Sequence, residues 1–127
     1  MRALVLIAAL AACAEDVADP IKPDVDYSDP KSVLGSVFWA ARSGDTTQLA
    51  GLCDAGANQA AARVCAVTAL GADFEAFRKN FARGRLNGEP RVTGDRALLK
   101  FLYGPKGTDR ETMTLVRRDG RWYLQSF

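Results

Sequence analysis

The spacing of apolar residues changes near residue 84, and this change restricts the chain to a fold of helices followed by strands. Between residues 29 and 83 the apolar side chains recur at three- and four-residue intervals, which is the period of an amphipathic helix. From residue 86 onward they tend to alternate with polar side chains, which is the period of a strand. We therefore expect an α+β domain in which N-terminal helices pack on an antiparallel meander of about four strands.

The helical half divides into four segments. Asp29-Pro30 predicts the start of the first helix, because aspartate is a good N-cap and proline fits the first helical position. Gly44 ends that helix, and capping-box spacing that begins at Asp45 predicts a short second helix. Further helices are expected over 58–70, which is rich in alanine, and over 72–83. The inward faces of the first and last helices comprise Val33, Leu34, Val37, Phe38 and Ala41, and Phe74, Phe77 and Phe81.

The strand half is punctuated by turn signals. Asp119-Gly120 predicts a tight hairpin, because both residue types tolerate the positive φ that such turns require. GPKGTD (104–109) is a loop by composition. Strands are expected over 96–103, 111–118 and 121–127, with a weaker one over 86–93, and their inward side chains include Ala97, Leu99, Phe101, Tyr103, Trp122 and Leu124.

The first twelve residues are typical of a signal peptide. One positive charge at Arg2 precedes ten residues without a polar side chain, from Ala3 to Ala12. A membrane-spanning helix needs about 20 apolar residues, so this segment is too short to span a bilayer. The other interpretation is a buried helix at the start of a globular domain.

Leu10-Ala11-Ala12-Cys13 resembles the lipobox of bacterial lipoproteins, in which a leucine and two small residues precede the modified cysteine. The resemblance implies a diacylglyceryl thioether on Cys13, cleavage before it, and acylation of the new amino terminus by a palmitate-like chain. Several acyl chains hold a protein stably on a bilayer, so a membrane is the expected partner. No aspartate follows the cysteine, which favours the outer membrane of the bacterial cell envelope. The alternative is an ordinary secretory signal that is cleaved near Ala14.

Residues 13–28 are expected to form an acidic, flexible tether between the lipid and the folded domain. Five carboxylates and two prolines lie in this stretch against one lysine, and few of its side chains could join a core. Residues 29–127 are then a single domain, which is long enough to bury a core of its own.

The cysteines support export to an oxidising compartment. If Cys13 carries lipid, Cys53 and Cys65 remain as an even pair, and a bridge between them would contribute about 3 kcal/mol in the chain-entropy model. Two buried free thiols are the alternative. We expect neither a metal site nor a cofactor, because the chain has no histidine and two cysteines make a poor zinc site.

Positive charge exceeds negative charge in the folded part. Residues 29–127 hold 15 lysines or arginines and 10 aspartates or glutamates. This surplus could favour anionic ligands, lipid headgroups or cell-wall polymers, or it could simply be a solvated surface. Nucleic acid is not an expected partner for an exported lipoprotein. Arg117, Arg118 and Arg121 flank the last turn, where they could meet an anion or discourage pairing at a sheet edge.

Several stretches together resemble the nuclear transport factor 2-like superfamily. They are AARSGD (40–45), the short TTQLAGL segment (46–52), the helix with three phenylalanines and the closing VRRDGRWYLQSF (116–127). The resemblance implies a cystatin-like cone, in which a curved sheet wraps a helix and leaves a cavity at its wide end. Members include ketosteroid isomerases and dehydratases, binding modules without chemistry, sheet-to-sheet homodimers and small exported lipoproteins.

The candidate site is an apolar pocket rather than a set of catalytic groups. No catalytic residue is assigned, and the absence of histidine excludes the histidine pair of the dehydratases. Asp73 and Asp95 are expected to cap a helix and a turn, and Glu75 to be solvated. We expect the pocket to bind a small apolar ligand, or the domain to bind a protein partner; a cavity enzyme of ketosteroid-isomerase or hydrolase type is the alternative. A homodimer built sheet to sheet, with a structural purpose, is the third possibility. The expected pocket residues are Phe38, Phe77, Phe101, Tyr103 and Trp122.

Overall fold

A computed structural model describes residues 24–127 and confirms the α+β class, with helices before an antiparallel sheet. The predicted signal peptide, Cys13 and the first part of the tether lie outside the described residues. Within residues 24–127 no helix has both the length and the apolar character needed to cross a membrane. The described elements are α1 (Pro30–Ser43), a 3-10 turn (Leu49–Gly51), α2 (Gln59–Cys65), α3 (Phe74–Phe81), β1 (Arg85–Leu86), β2 (Arg91–Thr93), β3 (Arg96–Tyr103), β4 (Asp109–Arg118) and β5 (Arg121–Ser126).

Helix α1 begins and ends where its capping residues predict. The Asp29 carboxylate accepts a hydrogen bond from the Lys31 amide at 2.9 Å, and Pro30 is the first helical residue. At the other end Gly44 takes a left-handed φ of 82°, and its amide donates to the Ala40 carbonyl at 2.9 Å. The predicted apolar stripe is buried, so α1 is the main helix packed on the sheet.

The other helical segments are shorter than predicted. The Asp45 carboxylate accepts hydrogen bonds from the amide and hydroxyl of Thr47, and a single 3-10 turn follows where a short helix is predicted. The alanine-rich helix stops at Cys65 rather than residue 70, because two β-branched residues and a glycine follow it within six positions. Helix α3 covers the centre of the range 72–83; its Phe77 and Phe81 are buried, and Phe74 is partly buried.

The sheet has five strands among the described residues rather than about four. Strands β1, β3, β4 and β5 are neighbours in that order, and β2 pairs with a different part of β3. The segment 86–93, which was predicted as one strand, is divided into β1 and β2 by two residues between them. Gly88 has a φ of 107°, and Pro90 lacks an amide hydrogen. Strand β4 starts two residues earlier than expected. The predicted hairpin is confirmed, since Asp119 and Gly120 both have positive φ.

The outer edge of β5 is covered by earlier parts of the same chain. The amides of Trp122 and Leu124 donate to the carbonyls of Tyr27 and Leu52. The amides of Asp54 and Asn58 donate in turn to carbonyls of β5, each at 2.8 Å. This edge is therefore closed to pairing with another strand.

The core lies between the helices and the inner face of the sheet. In β3 and β5 the predicted inward residues Ala97, Leu99, Phe101, Trp122 and Leu124 are all at most 2% exposed. Gly84, after α3, lies so close to the Phe38 ring that a Cβ atom there would overlap it. The chain therefore turns from helix to sheet by passing its backbone directly over an aromatic side chain.

The predicted Cys53–Cys65 disulfide is present, with a Cα–Cα distance of 6.2 Å. Cys53 pairs with Leu124 through a parallel β-bridge at the edge of β5, and Cys65 is the last residue of α2. The bridge therefore ties α2 to the edge of the sheet.

Candidate functional site

A cavity of about 330 Å³ opens where α2 and α3 meet the ends of β3 and β5. Its lining combines one face of each helix with two aromatic residues from the strand end of the fold. The lining residues are Ala60, Arg63, Val64, Val67, Asp73, Ala76, Phe77, Asn80, Phe81, Tyr103 and Phe127.

Helical periodicity explains which residues of α2 and α3 reach this cavity. Side chains three and four positions apart lie on one face of a helix. Around α2 this spacing brings Ala60, Val64 and Val67 to the lining, and in α3 it does the same for Phe77 and Phe81. Both faces contain apolar residues because they also continue into the core, so the cavity is an unfilled extension of the core.

An aromatic cluster forms the floor of the cavity. The Phe81 ring centroid lies 5.4 Å from that of Tyr103 and 6.2 Å from that of Phe127. Phe77 stacks on Phe81 at 5.4 Å, which extends the cluster along α3. These spacings are typical of stabilising aromatic pairs, so the floor is held in place without a ligand.

Polar groups lie at the rim. Arg63 and Asp73 are both exposed, so solvent screens their charges. The Asn80 side-chain amide donates to the Ala76 carbonyl at 2.9 Å, and its backbone carbonyl accepts the Gly104 amide at 2.7 Å. The arrangement can desolvate an apolar group on the aromatic floor while a polar end of the ligand stays at the rim.

Two of the five predicted pocket residues line the cavity, and three lie in the core. Phe77 and Tyr103 are lining residues. Phe101 lies behind Tyr103, with 5.4 Å between ring centroids, and Phe38 packs on Phe101 at 5.9 Å. Trp122 is 2% exposed and lies beneath the Arg117 guanidinium, whose central carbon is 5.0 Å from the ring centroid.

The three candidate carboxylates do not come together. Asp73 lies at the rim of the cavity and is the N-cap residue of α3 as predicted, but its side chain makes no capping hydrogen bond. Glu75 is exposed in the first turn of α3. Asp95 bonds to the Arg117 guanidinium at 3.2 Å. Within the described residues, no three or more carboxylate, cysteine or histidine side chains are grouped as metal ligands.

Sequence reasoning missed most of the α2 side of the cavity. Val64 and Val67 have helical spacing, but nothing in the sequence shows which helix they face. Phe81 was recognised as part of an inward stripe, although not as a pocket residue. The sequence pattern of the last strand does not predict that Phe127 lines a pocket. Its place in the floor depends on how the chain packs against α3 where β5 ends.

Asp54 and Arg118 form a second charged site at the edge of the sheet. The Asp54 side chain is 3% exposed, and its two carboxylate oxygens accept hydrogen bonds from the Arg118 guanidinium at 2.5 and 3.2 Å. This bidentate pairing holds the pKa of Asp54 below its usual value, although burial acts in the opposite direction. The same pairing raises the pKa of Arg118.

The arginines beside the last turn are engaged within the protein. Arg117 bonds to Asp95 and covers Trp122, while Arg118 holds Asp54. The Arg121 guanidinium carbon lies 4.2 Å from the centroid of the Tyr27 ring, in cation–π contact. These three arginines therefore fasten the hairpin to the segments around it.

No protein-family model, curated protein or solved structure matches this chain.

Proposed function

We propose that the chain is a lipid-anchored cell-envelope protein whose domain binds a small apolar ligand, without catalysis, in the cavity between α2 and α3. The observation that carries this proposal is the aromatic floor of Phe77, Phe81, Tyr103 and Phe127 beneath an open cavity of about 330 Å³. Burying apolar ligand surface there contributes about 25 cal/mol per Å² removed from water, before the costs of association.

The fold assignment within this proposal is the cystatin-like cone of the nuclear transport factor 2-like superfamily. It is supported by the order of elements, with helices first and an antiparallel sheet ending in a tight hairpin. It is supported further by the packing of α1 on the inner face of the sheet and by the presence of a cavity between the other two helices and the strand ends.

The enzymatic alternative has one rim carboxylate in its favour. Asp73 lines the cavity, but neither Glu75 nor Asp95 does. General acid–base chemistry on a ligand in the cavity would require a second donor or acceptor within hydrogen-bond reach of the reacting atom. Tyr103 is the lining residue with a hydroxyl group that could serve as that donor.

Ligand binding can be tested with an uncharged fluorescent probe, N-phenyl-1-naphthylamine, on the full chain. Ala60 lines the cavity, whereas Ala62, in the same helix, is exposed and lies outside the lining. We expect A60W to fill the cavity and weaken probe binding about tenfold or more, which corresponds to about 1.4 kcal/mol. The matched variant A62W should bind the probe as the wild type does. Equal affinity of the two variants would refute the cavity as the binding site.

The anchor can be tested separately by mass spectrometry of protein extracted from its own membranes. We expect the mass of residues 13–127 plus acyl groups, with two hydrogens missing until the disulfide is reduced. A C13S variant should lose the acyl mass and the part of its membrane association that resists high salt. An unacylated wild-type chain would contradict the anchor without bearing on the cavity.

A further inference from the structure

The outward face of the sheet carries one sign of charge. In β3 the side chains alternate between buried Ala97, Leu99 and Phe101 and exposed Arg96, Leu98 and Lys100. Residues directly opposite each other on paired strands point to the same side, so the register identifies the rest of this face. It adds the exposed Arg85, Arg91 and Arg110, and none of the outward positions in the described strands is Asp or Glu. Arg118 and Arg121 lie on the same side, but they are engaged with Asp54 and Tyr27. We call Arg85, Arg91, Arg96, Lys100 and Arg110 the basic face.

No described carboxylate forms an ion pair with any residue of the basic face. The described ion pairs lie elsewhere: Glu89 pairs with Lys31 at 3.3 Å, Asp95 with Arg117 and Asp54 with Arg118. No ion pair among the described residues therefore offsets the mutual repulsion of the five cations. A solvated surface with mixed charges would not separate the two signs in this way.

Leu98 lies within this face and is 40% exposed. Its cross-strand partners are Arg91 on β2 and Thr114 on β4, so a half-exposed apolar side chain is bordered by a long basic one and a small polar one. A depression of about 310 Å³ is lined by Lys100 and Arg110, whose two positive charges exceed the single carboxylate that also lines it. Glu111 also lines it, and its carboxylate accepts the Thr112 amide.

We propose that the basic face rests on the phosphate headgroups of an anionic phospholipid membrane. A lysine or arginine near such a surface is attracted by its negative potential, and five on one face act together. A second copy of this chain is a poor occupant, because a sheet-to-sheet contact would place the cations of both copies against each other. The proposal is independent of the cavity, which is lined mainly by α2 and α3.

The contact can be located with a tryptophan on the face and nitroxide-labelled headgroups in the bilayer. We would place the full chain carrying L98W on phosphatidylglycerol or phosphatidylcholine vesicles that contain the quencher. The control is L70W, because Leu70 is 99% exposed in the connection between α2 and α3. Because the chain already contains Trp39 and Trp122, quenching is measured relative to the wild type. We expect additional headgroup quenching for L98W on phosphatidylglycerol alone and none for L70W. An unquenched L98W, or equal quenching on both lipids, would overturn the proposal, whether or not the cavity binds a ligand.

Charge reversal tests whether the position of the cations matters or only their number. R96E/K100E reverses two charges of the basic face, and R78E/K79E reverses two exposed charges of α3. We expect the first pair to lower partitioning onto phosphatidylglycerol vesicles about tenfold or more, and the second to change it little. In about 0.5 M salt the wild type should lose the same advantage, because the screening length falls to roughly 4 Å. Equal losses of vesicle partitioning for the two double variants would refute membrane contact. So would binding to purified cell-wall polymer that depends on these charges, without quenching of L98W on vesicles.

Discussion

Removal of the Cys53–Cys65 disulfide is the perturbation whose cost follows most directly from the structure. The two cysteines are 12 residues apart, and closing a loop of this length removes enough unfolded-state entropy to stabilise the domain by about 3 kcal/mol at 25 °C. The loop also holds the edge of the sheet, because the amides of Asp54 and Asn58 donate to carbonyls of β5. Both effects are lost or weakened in C53A/C65A.

We expect C53A/C65A to unfold about 12–24 °C below the wild type, from the usual 4–8 °C per kcal/mol in a domain of this size. The assay is reversible thermal or urea unfolding of the full chain, followed by circular dichroism. Hydrogen exchange should show the Asp54 and Asn58 amides opening before those of β3 and β4, which pair along eight residues. Wild type in reductant is the control and should match the variant. A loss below about 1 kcal/mol, or no effect of reductant, would refute the reasoning.

Three other variants test the edge ion pair and two glycine positions, one open and one tightly packed. D54N should lose about 1–2 kcal/mol of stability at neutral pH. The substitution removes the carboxylate charge that pairs with Arg118, at a side chain that is only 3% exposed. Pairing with Arg118 lowers the pKa of Asp54, so the extra stability of the wild type over D54N should be full above about pH 4, the pKa of an unfolded aspartate. It should vanish as the pH falls through the lowered pKa. A stability difference that persists in strong acid would contradict this. G35A should stabilise α1 by about 0.5–1 kcal/mol, because nothing lies within 4 Å of the added Cβ, whereas G84A should destabilise by about 1–3 kcal/mol through overlap with the Phe38 ring. Denaturant unfolding of both glycine variants checks the two signs, and a stabilised G84A would show that the ring moves freely.

Local signals predicted the elements whose ends are set by their own residues. Asp29, Pro30 and Gly44 delimit α1 because their side chains or backbone satisfy the helix termini directly. Asp119-Gly120 determines the hairpin in the same way. The predictions were poorer over 45–70, where alanine-rich composition favours helix but the chain must also cover the edge of β5 and close a disulfide.

The candidate site was predictable only in part. Helical spacing indicated that Phe77 faces inward, and alternation indicated the same for Tyr103. These patterns could not distinguish a core residue from a cavity-lining one. Phe38, Phe101 and Trp122 have the same patterns, yet they lie where neighbouring side chains fill the space. That distinction depends on how far α2 and α3 stand from the strand ends, and no local pattern records this distance.

The sequence by itself determined the α+β class, the order of helices and strands, and the last hairpin, because each of these depends on residues that are neighbours in the chain. It indicated the Cys53–Cys65 pair, which the structure confirms. Only the tertiary structure decided the cavity, the Asp54–Arg118 pair and the basic face. Asp54 and Arg118 are 64 residues apart, and the basic face combines four strands through their register. A surplus of positive charge is readable from composition, but its separation from the carboxylates arises only when the strands pair.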